Sequence, residues 1–106
     1  DVYSFGVLLL EVICCRKKFD LNVEDEHEVV LIEWAYECFH HRRLDLLVEN
    51  DEEAQIDMKK VEEYVMIGIW CIQEDPSARP TMKQVVLMLE GFMDVSNPPD
   101  LSSFTS

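Results

Sequence analysis

The segment DVYSFGVLLLEVICC, Asp1 to Cys15, constrains the fold more than any other stretch. Wound as a helix, it is apolar nearly all round. Asp1, Ser4 and Glu11 fall on one narrow stripe, with Leu8 as the apolar member between them. A helix of that kind belongs in the centre of a packed assembly, not on a surface. Glu11 interrupts the longest apolar run, which falls far short of the roughly 18 to 20 residues a membrane span needs. This segment is therefore not expected to touch a membrane. Asp1 is placed to cap the helix start, and Arg16, Lys17 and Lys18 suit the negative end of its dipole.

Three further helices follow from the periodicity, so the chain is expected to be all-α, with helices at about 1–16, 29–41, 58–73 and 81–91. In the second, Leu31, Trp34, Ala35, Cys38 and Phe39 make the inward stripe, while Glu33, Glu37 and His41 share the wet face. The acids of EDEHE before it and the bases of HHRR after it complement the helix dipole. An acidic loop, ENDEEAQ, separates it from the third helix, for which Asp57 is the expected cap. From Val65 to Ile72 every residue of that helix is apolar or glycine. Gly68 costs about 1 kcal/mol of helix propensity relative to alanine, so close approach by a neighbouring helix is expected there. Pro76 ends the element.

The fourth helix opens with a capping box, Thr81 and Gln84, and carries Val85, Val86, Leu89 and Phe92 as its expected buried stripe. Gly91 is placed to stop it in the left-handed conformation. Residues 94–106, with paired prolines and several serines, are expected to be extended, mobile chain.

A net charge of −13 over 106 residues argues against nucleic acid and anionic membrane surfaces as partners. Hydrophobic residues make up 48% of the chain, too many for a disordered acidic tail. The four cysteines, Cys14, Cys15, Cys38 and Cys71, fall in no paired spacing, which fits reduced thiols better than a disulfide framework. The first residue is Asp1, inside a helix already under way, so we expect a piece of a longer protein.

With three glycines in all, the chain has no GxGxxG, GxxxxGK[ST] or GxSxG, and no phosphate cradle of backbone amides. No catalytic, cofactor-binding or metal-binding residue is assigned. Cys38, His40 and His41 are not expected to bind zinc, because adjacent helical side chains diverge by about 100° and zinc needs converging ligands. His27 lies in an acidic run and is expected to be solvated. One residue stands out. Arg79 lies between Pro76 and Pro80 in CIQEDPSARPTM, a lone guanidinium with five donors and no acceptor. Taken alone, the loop allows a local pair with Glu74 or Asp75, a solvated side chain, or a buried pair with a distant carboxylate.

Two stretches go further. DVYSFGVLLLE resembles the segment of eukaryotic protein kinases in which an Asp-x-Tyr/Trp-Ser-x-Gly pattern opens the central helix of the large lobe. DPSARPTM resembles the loop before the last helix of the same domain, in the right order and about 60 residues later. LIEWAYECF, GIWCIQEDPSARPTMKQVVLMLEG and NPPDLSSFTS are similar to plant receptor-like serine/threonine kinases, especially those with a bulb-type lectin domain.

The resemblance implies that residues 1–93 are the C-terminal helical subdomain of a kinase large lobe. The whole protein would transfer phosphate from ATP, with Mg2+, to serine or threonine of proteins at the cytosolic side of a plasma membrane. It implies that Arg79 pairs with the glutamate of an Ala-Pro-Glu motif absent from this chain, and that Asp1 accepts hydrogen bonds from the catalytic loop. Leu8 and Val12 would support the apolar column beneath the adenine ring, with Tyr3 and Gly6 as packing residues.

No His-Arg-Asp or Asp-Phe-Gly motif is present, so this segment alone is expected to be scaffold, not enzyme. Its partners would be the catalytic loop, the activation segment and protein substrates, with the second helix offering Trp34 and Tyr36 as a docking surface. The alternatives are a non-catalytic acidic interaction module and a parent that is a pseudokinase.

Overall fold

Asp1 begins the first helix by the means its side chain offers: its Oδ1 accepts a hydrogen bond from the Ser4 amide at 3.0 Å. The computed structural model describes residues 1–14, 24–49 and 51–101, with backbone only over 24–29. The described residues form five α-helices and no strand: α1 (Val2–Cys14), α2 (Glu24–His40), α3 (Glu52–Ile56), α4 (Met58–Cys71) and α5 (Met82–Glu90), with 3-10 turns at Leu44–Leu46 and Pro76–Ala78. Arg16, Lys17, Lys18, the side chain of His27 and the tail beyond Leu101 lie outside the described residues.

Helix α4 holds the centre. Its Val61, Val65 and Ile69, with Ile72 just past its end, join one core with Val7 and Leu10 of α1 and Leu31, Ala35 and Cys38 of α2. On its other side Ile67 and Cys71 meet Val85 and Met88 of α5, with Val2, Phe5 and Leu9 of α1 packed alongside. The apolar run from Val65 is thus buried in two directions at once.

Helices α1 and α4 cross where both lack a side chain. A Cβ at Gly6 would lie 2.6 Å from the Cys71 Cβ and 3.1 Å from the Gly68 carbonyl oxygen; one at Gly68 would lie 2.8 Å from Leu10 Cδ2. The close approach expected at Gly68 is therefore real, and Gly6 is its counterpart.

Leu8 and Val12 of α1 are 55% and 65% exposed, because α2 and α4 cover only its other faces; this is the stripe that the resemblance assigns to neighbours outside this segment. The structure corrects several sequence expectations. The acidic loop contains α3, whose start is capped by Asp51 accepting from the Ala54 amide at 3.1 Å. On α5 the buried stripe is Val85 and Met88; Val86 is 46% exposed and Phe92 78%. Phe92 leaves the helical period because Gly91 turns left-handed at φ 86°, and the Phe92 amide then bonds the Leu87 carbonyl. The same closing pattern ends α2, where the Arg43 amide bonds the Cys38 carbonyl at 2.7 Å and Arg42, not glycine, takes φ 58°. The capping box forms as expected, with Gln84 N to Thr81 Oγ1 at 3.1 Å and Thr81 N to Gln84 Oε1 at 2.9 Å.

Tyr36 is buried at 3% exposure and Trp34 packs against the core, so α2 does not present them as a docking face. Cys38 is likewise buried, while His40 stacks on Tyr36 and His41 reaches Glu37 at 3.2 Å. Of the tail expected to be mobile, the described residues 94–101 form no helix or strand, but 95–101 are not loose. They dock on α2 and α4.

Candidate functional site

The loop between α4 and α5 is built by its own short-range hydrogen bonds. Asp75 Oδ1 accepts from the Ser77 amide at 3.0 Å and from Ser77 Oγ at 2.8 Å, with Pro76 supplying the first turn position. These bonds, helped by the charge of Arg79, hold the Asp75 carboxyl below its usual range. Asp75 is thus committed to shaping the turn.

Arg79 leaves that turn pointing back toward α1. Its Nε donates to the Gln73 carbonyl at 2.7 Å, and its guanidinium carbon sits 5.0 Å above the Tyr3 ring. The side chain is half-buried and forms no ion pair among the described residues. Of the alternatives open from sequence, the local salt bridge is not the one the structure adopts. A cleft of about 230 Å³ opens beside it, lined by Trp70, Arg79, Pro80, Gln84, Met88 and Met93 among others.

The structure therefore brings Tyr3 and Arg79 together, and Gly6 reaches Ile72, the neighbour of Gln73. Asp1 stands exposed at the helix start, while Leu8 and Val12 form an open stripe elsewhere on α1.

Gln73 was not found by sequence reasoning. It is 6% exposed, a buried carboxamide. Its carboxamide nitrogen donates to the Ile69 carbonyl and to the Pro99 carbonyl, both at 3.2 Å. Trp70 Nε1 donates to the Ser96 carbonyl at 2.9 Å, and Leu101 is buried at 3% exposure. The Tyr36 hydroxyl lies against Asp100 and the Leu101 backbone; burial, then Asp100, raises its pKa. The one signal in the sequence is that Gln73 follows directly on the all-apolar run.

Burial also pushes the Cys71 thiol from 9.0 to about 11. The folded state therefore holds its proton more tightly, a contribution fully present below pH 9 and lost as pH rises toward 11. At pH 8, iodoacetamide is expected to modify Cys71 only as fast as the protein opens. Between pH 9 and 11 the melting temperature should fall further than it does in Cys71→Ala. Rapid labelling of the native protein at pH 8 would contradict the burial.

A two-cored helical assembly, with a glycine-tight pair at its centre and a half-buried arginine on the loop before its last helix, is consistent with the C-terminal helical part of a kinase large lobe. The sequence agrees: residues 1–89 match the family described as protein tyrosine and serine/threonine kinase, and the chain belongs to that family. Among its relatives are G-type lectin S-receptor-like serine/threonine-protein kinases. One from Oryza sativa subsp. japonica is 52% identical over 106 residues, all of this chain and 13% of the relative. One from Arabidopsis thaliana is 52% identical over 106 residues, all of this chain and 12% of the relative. Another, from Oryza sativa subsp. indica, is 47% identical over 103 residues, 97% of this chain and 13% of the relative. The chain thus spans about an eighth of the length of these relatives. No solved structure matches it.

Proposed function

We propose that the chain is the helical scaffold of a receptor-like protein kinase that moves the γ-phosphoryl of ATP to serine or threonine of protein substrates. ATP and Mg2+ would bind outside these residues, and the catalytic domain would work at the cytosolic face of the plasma membrane. Similarity to whole receptor-like serine/threonine kinases supports this.

The observation that carries it is Arg79. Its Nε is held by the Gln73 carbonyl and its plane by Tyr3, which leaves the outer nitrogens of the fork for a carboxylate from elsewhere in the domain. We assign that carboxylate to the glutamate at the end of the activation segment, so that Arg79 fastens the substrate platform to the helices. The open Leu8–Val12 stripe supports a second contact, beneath the nucleotide pocket. Asp1 Oδ1 caps α1, and its other oxygen would accept from the catalytic loop.

In the full-length protein, Arg79→Ala should lower the rate of peptide phosphorylation by at least tenfold while ATP affinity changes less than threefold. Removing one partner of a buried pair costs about 3–5 kcal/mol, enough to loosen the platform. Arg79→Lys keeps the charge but not the fork and should fall between the two. Wild-type turnover in Arg79→Ala would refute the assigned role.

A further inference from the structure

Residues 95–101 lie on the helices in a repeat of three. The residues turned inward are Val95, Pro98 and Leu101; Val95 joins the core beside α5 and Leu101 the core beside α2. The carbonyls that accept hydrogen bonds, Ser96 and Pro99, are also three apart. Three residues per turn is the period of the polyproline II helix, which makes no internal hydrogen bonds and so offers its carbonyls outward. In the two bonds that the strap carbonyls receive, the donor belongs to α4 or its end: the Trp70 indole and the Gln73 carboxamide.

We propose that α2 and α4 form a docking groove for extended, polyproline-type peptides, and that the chain's own residues 95–101 are its resident ligand. Aromatic rings with donors aimed at main-chain carbonyls are the chemistry by which such helices are recognised. Pro98 and Pro99 stiffen the ligand in advance, which lowers the entropy lost on docking. Val95 and Leu101 supply apolar anchors at either end. Gln73 adds a polar anchor, since with the tail in place its carboxamide is buried and donates to the Pro99 carbonyl. A proline-rich segment of another protein, or the tail of a second copy, would have to displace the resident one, which competes at high effective concentration.

The test uses the full-length protein and a fluorescein-labelled peptide, DVSNPPDLSS, copying residues 94–103. Leu101→Asp should release the resident tail, so that this variant binds the peptide at least tenfold tighter than the unaltered protein by fluorescence anisotropy. Replacing both prolines of the peptide with glycine should weaken binding about fivefold. Adding Trp70→Phe, which removes the indole donor, should weaken it about tenfold. Equal binding by variant and unaltered protein, or none by a variant with native circular dichroism, would overturn the proposal. Should Leu101→Asp fail to fold, Trp70→Phe alone decides. Endoproteinase Asp-N should then cut before Asp100 at least fivefold faster than in the unaltered protein, and an unchanged rate would overturn the groove.

Discussion

Gly6→Val is expected to destabilise the protein by about 3 kcal/mol or more, at or beyond the upper end of what overpacking a core costs. The first atom added already has nowhere to go. It would stand 2.6 Å from the Cys71 Cβ and 2.9 Å from Ile72 Cγ2, with the Gly68 carbonyl oxygen at 3.1 Å. The Cβ and the carbonyl oxygen are fixed to the α4 backbone, so relief requires the two helices to part. Parting them opens both cores, because α4 contributes side chains to each. Gly6→Ala should lose less, since alanine recovers about 1 kcal/mol of helix propensity against the same clash. The check is the urea midpoint of the full-length protein's kinase domain, wild type against Ala against Val. A valine variant within 0.5 kcal/mol (order of magnitude) of wild type would mean that the helices do not cross here.

Leu10→Ala should cost about 2–5 kcal/mol, the range for removing a large aliphatic side chain from a closed site. Leu10 is 0% exposed and faces Gly68 across the helix crossing. The pair makes a sharper test than either residue alone. A methyl at position 68 would meet Leu10 Cδ2 at 2.8 Å and Cγ at 3.0 Å, so Gly68→Ala is strained while Leu10 is present. In Leu10→Ala those atoms are gone, and the same methyl fills part of the cavity. The double variant should therefore be more stable than the sum of the single changes predicts, by roughly 0.5–3 kcal/mol. Strict additivity in a double-mutant cycle would separate the two residues in space.

Much of this architecture was legible because local signals agreed with one another. The Thr81–Gln84 box, the Asp57 cap and the glycine stop at Gly91 each depend on residues within four positions, and each formed where the sequence placed it. Gly68 was legible for a different reason: a costly residue inside an unbroken apolar run has to be explained by a neighbour. Direction was harder to read. Val86 and Phe92 were expected inside α5 and are outside, because apolar character does not tell which side of a short helix meets the core. Tyr36 was expected at the surface and lies beneath the returning tail, a contact some 65 residues away in sequence that no periodicity encodes.

The site divides in the same way. Arg79 could be singled out because a lone cation between two prolines is conspicuous in an acidic chain, but its hold on Tyr3 joins the two ends of the sequence and required coordinates. Gln73 escaped notice because one amide after eight apolar or glycine residues looks like the end of a helix. Its burial comes from the tail folding back over it, and composition had marked that tail as loose.

Gln73 also ties together two parts of the molecule. Its carboxamide moors the last described stretch of chain, and its main-chain oxygen moors the guanidinium six residues on. Slacken the first tether and the residue that anchors the second is free to shift. Displacing residues 95–101 from α4 would therefore be felt, within one side chain, at the guanidinium that we propose fastens the substrate platform.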